Sequence, residues 1–308
     1  MVNRIIINFP TNFGDAILTF PALDLIKSNF PQAKIVAICS SKTKDFLSHH
    51  NFIDELIVYN KRWRIKDKIR FCASLRKKNE LMVDFKNSFL PIILKAKFYT
   101  PFVRIYPKNM HVKDRYIKLV KNLVQTKIVK RGEFLLKKEE RDKWDSLDLN
   151  NSIFVSSASH SSLKTYPSKN LKKVVEVLSK NYKVVLLGDS KASDYYRDIT
   201  KKENVINLAG KTTFLEVYYL LKNYASLCIS VDSSILHLAS YLNIPIVAIF
   251  GPTVIHKYGP WSNKFKVLVR SDLACRPCEH SVCRFDNECM DIEPEKIIES
   301  INSLIKDV

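Results

Sequence analysis

Glycine is scarce here: the chain has six in 308 residues, so each one that stands in a turn is informative. Three of them, Gly210, Gly251 and Gly259, surround a single short stretch. Long apolar runs are also missing. None approaches the roughly 20 residues that a membrane-spanning helix needs, which argues against a span. The opening MVNRIIINFP breaks at Pro10 and lacks the long apolar region and small-residue cleavage site of a signal peptide. A chain kept in the cytosol is expected, with its seven cysteines reduced. No repeat of solenoid period and no low-complexity tract occurs. A helix-turn-helix, a zinc-finger His pair and an aromatic RNA-binding motif are all absent, which argues against the usual nucleic-acid modules. Acidic residues are few as well: 31 Asp and Glu face 50 Lys and Arg, for a net charge of +19.

What is present describes a soluble globular protein, 46% hydrophobic and 26% charged, long enough for two domains. The positive charge is concentrated in the first half. Residues 1–150 carry 30 Lys and Arg against 15 Asp and Glu, whereas residues 151–308 carry 20 against 16. Such asymmetry points to an anionic partner for the first half: nucleic acid, acidic phospholipid or a phosphorylated glycan. Residues 61–78 alternate cations with Trp63, Ile65, Ile69, Phe71 and Leu75, as in a basic amphipathic helix, and residues 113–124 read as another. Residues 89–103 are apolar apart from Lys95 and Lys97.

Apolar strand-like runs alternate with helical periodicity along the chain. Strands are expected at 4–9, 34–39, 55–59 and 81–85, and a helix over 16–30 in which the early Pro21 implies either a kink or two short helices. Residues 137–150 are the most polar and read as a linker. The alternation then restarts, with strands at 152–156, 183–187 and 205–208, helices at 171–180, 193–201 and 214–223, and a final amphipathic helix at 294–305. This is the pattern of doubly wound α/β sheets, with domains over 1–148 and 149–308.

The second half is organised around residues 231–253, VDSSILHLASYLNIPIVAIFGPT. An apolar strand ends in Asp232, Ser233 and Ser234, residue types that cap helix N-termini. A short helix follows, ended by Asn243 and Pro245, then an apolar strand over 246–250 and a turn at Gly251. A helix start of this kind presents free N–H groups and hydroxyls to an anion such as a phosphate, and His237 lies one turn in. A structural Asp-Ser cap would look the same. Ligands of such sheets bind beyond the carboxyl ends of the strands. Three polar turns fall at such ends: Gly14-Asp15, residues 157–164 and residues 232–234.

These blocks resemble a known family. Asn12, Phe13, Gly14 and Asp15, with T-x-P-A-L over 19–23, are similar to the amino-terminal signature of the lipopolysaccharide heptosyltransferases, glycosyltransferase family 9. N-L-A-G-K-T over 207–212, the run over 232–253, and C-R-P-C…C…C-M over 275–290 resemble its carboxy-terminal signatures. The blocks keep the family's order over nearly the whole chain.

The resemblance implies a GT-B architecture, two Rossmann-like domains facing a central cleft, with acceptor on the first and donor on the second. It implies inverting, metal-independent transfer of heptose from ADP-heptose to a lipopolysaccharide inner-core acceptor. No cofactor beyond the donor is required. Asp15 matches the general base, for which a helix cap is the bland alternative. Lys164 matches the lysine on the donor diphosphate, where a cation takes the place of a metal. Ser159 and His160 match positions near those phosphates, and Ser233, Ser234 and His237 match the phosphate-binding helix start beside Asp232. Asp189 and Thr212 are candidates for the adenine and ribose. The family often has Gly where this chain has Ser234, and Trp where it has Tyr166.

Cys275, Cys278, Cys283 and Cys289 are spaced C-x2-C-x4-C-x5-C, open to a structural zinc or to free, reversibly oxidised thiols. The basic first half suits an anionic core acceptor and the anionic inner leaflet of the cytoplasmic membrane, at which a peripheral cytoplasmic enzyme would work. Three other readings stand beside the heptosyltransferase: a related GT-B enzyme with another nucleotide sugar or acceptor, a basic nucleic-acid-binding protein, and a sugar-nucleotide-binding protein without activity.

Overall fold

Strand and helix alternate throughout the computed structural model, which describes residues 2–75, 81–125, 130–199 and 203–306. The chain divides into two compact units, Met1–Leu135 and Leu136–Val308. In the first, β1 (Arg4–Asn8), α1 (Phe13–Leu18), α2 (Phe20–Asn29), β2 (Lys34–Cys39), α3 (Lys44–Ser48), β3 (Glu55–Val58), α4 (Ile65–Leu75), β4 (Leu81–Asp84), α5 (Leu90–Ile93), β5 (Phe98–Tyr99) and α6 (Val112–Val120) follow in turn. The strands form one sheet in the order β3-β2-β1-β4-β5, and every pairing is parallel. Ile5, Ile6 and Ile7 are wholly buried because β1 is central and covered on both faces. Each such side chain stabilises the fold by roughly 1.5–3 kcal/mol.

Of the two forms expected over 16–30, the structure shows two short helices, α1 and α2. They meet at Thr19, whose hydroxyl donates back to Ala16 O at 2.6 Å, and Pro21 lies in the first turn of α2, where its missing N–H costs nothing. The basic helix of residues 61–78 is α4; residues 76–78 lie outside the described residues, as do 200 and 201 of the expected helix 193–201. The basic helix expected at 113–124 is α6 with a single 3-10 turn, Lys121–Leu123, after it.

The second unit runs α7 (Lys138–Asp145), β6 (Ser152–Ser156), α8 (Ser168–Leu178), β7 (Val184–Leu186), α9 (Ser190–Tyr195), β8 (Val205–Asn207), α10 (Phe214–Tyr224), β9 (Ala225–Val231), α11 (Ser234–Tyr241), β10 (Ile246–Ile249), α12 (Ile255–Tyr258), β11 (Phe265–Leu268) and α13 (Pro294–Lys306). Its six-stranded parallel sheet has the order β11-β10-β9-β6-β7-β8. The linker expected over 137–150 is instead largely α7, which packs on α10. Trp144 Nε1 donates to Glu216 at 3.1 Å, and the Tyr219 and Tyr224 hydroxyls each donate to Asp145 at 2.5 Å. Few apolar residues were needed for that packing, so the segment looked like linker, and the division falls at Leu135 and Leu136 rather than at 148 and 149.

Candidate functional site

Parallel strands joined by crossovers bring all carboxyl ends to one edge of each sheet. In the second unit β6 and β9 are neighbours, with Ser156 opposite Ser230. The loops that follow them therefore meet. Lys164 ends a 3-10 turn, Ser162–Lys164, in the loop after β6, and Asp232 directly follows β9. Lys164 Nζ donates to Asp232 Oδ2 at 2.7 Å. Asp232 is 7% exposed and Lys164 31%, so the carboxylate is buried while the lysine side chain is partly open to solvent.

Ser233 is the N-cap of α11. Its Oγ accepts from Leu236 N at 3.4 Å and lies 3.1 Å from Ser230 Oγ. Ser234 is the first helical residue. From Ile235 to Tyr241 the helix is buried all round. Asn243 ends it in the left-handed region (φ 62°), where Ile244 N donates to Ala239 O, as the Asn-x-Pro pattern predicted. His237, one turn in, places Nε2 3.9 Å from Asp232 Oδ1, too long for a hydrogen bond. Its ring stacks on Trp261 with centroids 5.7 Å apart and 23° between planes. Trp261 went unnoticed in the sequence; its place just after Gly259-Pro260 was the available signal.

Lys164, Asp232, Ser233, Ser234 and His237 thus come together at a helix N-terminus. Ser159 lies on the same loop as Lys164: its backbone N–H donates to Thr165 Oγ1, and its hydroxyl accepts from Ser161 N at 3.4 Å. His160, next to it, is exposed. Asp189 and Thr212 stand beyond the ends of β7 and β8, farther along the sheet. Asp189 caps α9, with Oδ1 accepting from Ala192 N at 3.1 Å. Gly210 has φ 72° and passes so close to Ser190 that a Cβ would sit 2.9 Å from its Cα. That position therefore needs glycine on both counts.

The cysteine-rich segment braces the same edge. Arg276 Nε donates to Gly251 O at 2.6 Å, and Glu279 N donates to Pro252 O at 3.0 Å. A Cβ on Gly251 would meet Met290 Sδ at 2.3 Å, so the glycine makes room for Met290. Cys275, Cys278, Cys283 and Cys289 line a cavity of about 280 Å³ together with Leu163 and Pro252. Cys283 Sγ accepts from Phe285 N and Asn287 N. Burial pushes the Cys289 thiol up, against the pull of Arg276. Among the described residues no three His, Cys, Asp or Glu side chains are grouped to hold a metal ion. The four sulfurs share a cavity without forming a ligand set.

In the first unit Asp15 is the third residue of α1, and Asn12, not Asp15, holds the N-cap position. The carboxylate is half-buried, 3.5 Å from Asn12 Nδ2, with Gly14 one residue earlier in the same turn. At the end of β4, Asp84 organises a network that sequence reasoning missed. It accepts from Asn8 Nδ2 at 2.8 Å, Lys86 N at 3.0 Å and Ser88 Oγ at 2.8 Å. Lys86 is half-buried, and burial together with Lys61 holds its pKa below the usual lysine value. The D-F-K-N-S run at a strand end was the signal for it.

A family model, glycosyltransferase family 9 (heptosyltransferase), matches residues 94–288. The chain belongs to glycosyltransferase family 9. This glycosyltransferase is 31% identical to lipooligosaccharide heptosyltransferase 2 of Campylobacter jejuni, over 98% of its own length and 99% of the relative's. It is 26% identical to an Escherichia coli lipopolysaccharide heptosyltransferase 3, over 81% and 84%. Its GT-B fold is shared with the E. coli ADP-heptose LPS heptosyltransferase II (TM-score 0.78, 20% identity, 99% of each chain). A family 9 glycosyltransferase from Veillonella parvula is similar too (TM-score 0.80, 20% identity, 99% and 98%).

Proposed function

We propose that this glycosyltransferase moves a heptose from ADP-heptose to an inner-core sugar of lipopolysaccharide, with inversion and without a catalytic metal. The observation that carries the reading is Lys164, held at 2.7 Å by Asp232 beside the first turn of α11. The donor diphosphate sits there, on the amide N–H groups of that turn and within reach of the ammonium. As the bond from the anomeric carbon to the diphosphate breaks, charge grows on the leaving oxygen, and Lys164 stabilises it where other enzymes use a divalent cation. His237, fixed by Trp261, and Ser159 and His160 complete the phosphate surroundings; Asp189 and Thr212 are the candidates for adenine and ribose. The acceptor binds the first unit. Asp15 takes the proton of its attacking hydroxyl, and attack opposite the leaving group inverts the anomeric centre.

The names of the relatives favour heptose and a lipopolysaccharide acceptor over another nucleotide sugar. Such an acceptor is borne by the cytoplasmic membrane, whose anionic inner leaflet fits the basic first unit, so the enzyme works as a peripheral protein on the cytoplasmic face. No nucleic acid is part of this reading. No helix among the described residues is long and apolar enough to cross a membrane. A structural zinc at the four cysteines would need their loop to close on one point, which it does not do here, and no step depends on it.

The test is a calorimetric titration with ADP, UDP and GDP without added metal, then with ADP-heptose. Selective ADP binding, followed by ADP release when the core acceptor is added, supports the proposal. Preference for UDP or GDP would move the protein to another donor.

A further inference from the structure

The first unit carries an apolar surface that transfer chemistry does not explain. Among the described residues, seven of the fifteen exposed large hydrophobic side chains fall within residues 89–105. Phe89, Ile92, Phe98, Val103 and Ile105 are between 50% and 81% exposed. Phe102 ties the two halves of the segment together: its ring centroid lies 6.1 Å from Phe89 and 5.9 Å from Tyr99. The segment is folded, not loose. Leu94 and Ala96 are packed beneath it in a core cluster with Phe71 and Leu75 of α4. The Arg104 guanidinium donates to the carbonyls of Asp84 and Phe85, pinning the patch to the end of β4.

Charge says what covers it. Between Asp84 and Asp114 there are six Lys and Arg and no carboxylate. Lys95 and Lys97 are exposed inside the patch, and Lys97 Nζ lies 5.5 Å from the centre of the Phe98 ring. A second copy of this chain meeting the patch by two-fold symmetry would set those cations against themselves. A nucleic acid could stack bases on Phe89, Phe98 and Tyr99, but it would leave the exposed aliphatic side chains of Ile92, Val103 and Ile105 without a fitting partner. Aliphatic and aromatic side chains framed by cations match the boundary of an anionic bilayer, where headgroups take the charges and the acyl region takes the apolar tips.

We propose that residues 89–105 are a membrane-inserting surface for anionic phospholipid, with Ile92, Val103 and Ile105 entering the acyl boundary and Lys95 and Lys97 holding headgroup phosphates. The proposal deepens the reading of a membrane-borne acceptor and takes its purpose from it, but the binding itself requires no acceptor. Insertion gives contact that salt alone does not remove, unlike a purely electrostatic film of basic helices.

The experiment is sedimentation of the full chain with phosphatidylglycerol–phosphatidylethanolamine vesicles and with phosphatidylcholine vesicles, at low and high salt. Wild type should bind the anionic vesicles and keep part of that binding at high salt. The double variant Ile92→Ser, Ile105→Ser should bind at least about tenfold more weakly, from the apolar area withdrawn. The pair Lys95→Glu, Lys97→Glu should lose the preference for anionic lipid. In parallel, ADP release is followed with an acceptor stripped of its acyl chains. There the Ile92→Ser, Ile105→Ser variant should match wild type, which also reports that it is folded. Vesicle binding by that variant equal to wild type, or wild-type binding that vanishes entirely in salt, would overturn insertion. A patch-dependent dimer without lipid binding would do the same. If wild type binds vesicles but never turns over the stripped acceptor, the transfer reading fails while the surface stands.

Discussion

Lys164 is the residue on which structure and chemistry make the sharpest joint prediction, because it has two jobs that one double substitution separates. It neutralises a carboxylate that is only 7% exposed, and it is proposed to meet the leaving diphosphate. Removing one partner of a fully buried ion pair costs roughly 3–5 kcal/mol, since a charge is left alone in a poor solvent. Here the lysine is 31% exposed, so water refills part of its place, and Lys164→Met should cost about 2 kcal/mol of stability. Losing a cation aimed at transition-state charge should lower kcat by about 10²–10³. Adding Asp232→Asn removes the stranded charge. The double variant should regain at least about half of the lost stability and none of the lost turnover. Urea unfolding and initial rates of ADP release read the two effects on the same preparations. If turnover returns together with stability, Lys164 acts only by satisfying Asp232, and its assignment to the diphosphate is wrong.

Asp15→Asn should lower kcat by at least about 10²-fold, with donor affinity measured by calorimetry unchanged; near-normal turnover would remove Asp15 as the base. Acid stability should depend on His50. It is buried among Phe20, Phe52 and Phe134, its Nδ1 accepts from Phe52 N, and burial holds its pKa down to about 3 from the usual 6.5. The neutral ring is the folded form, so its contribution is complete above 6.5 and fades as pH falls toward 3, where the unfolded chain alone gains the proton. Between pH 7.5 and pH 5 this removes about 2 kcal/mol. His50→Asn keeps an acceptor for Phe52 N and should be less stable at pH 7.5 but lose about 2 kcal/mol less on acidification; parallel stability curves for the two proteins would contradict this.

Most of the fold was legible because parallel, doubly covered strands leave plain apolar runs. β1, β2, β4, β6, β9 and β10 all lie where such runs stood. What escaped notice had weaker signals. The edge strands β5 and β11 are short and half solvated, and Phe98, Tyr99, Phe265 and Lys266 are exposed, so no buried run marks them. Helix α7 escaped because Trp144 alone in it is buried, the rest of its hold on α10 being made by polar groups. Capping was legible in type but not in register. Asp15 and Asn12 are both good caps, and only the backbone decides which one stands outside the helix.

The site was legible in its parts and illegible in its joins. Asp232, Ser233 and His237 announce themselves because they sit within one helical turn. Lys164 is 68 residues away from Asp232, and the contact between them follows from β6 and β9 being neighbours, an order that neither segment encodes alone. The same holds for the cysteine-rich segment. Its spacing suggests a metal, yet its contacts have another reason: Arg276 and Met290 close on Gly251, and the turn after β10 is held from outside its own sequence. Gly251 is therefore a packing glycine, with Met290 taking the space of the missing side chain. A motif whose residues touch a distant backbone is visible in sequence only as an unexplained regularity, and its meaning comes from what topology sets opposite it.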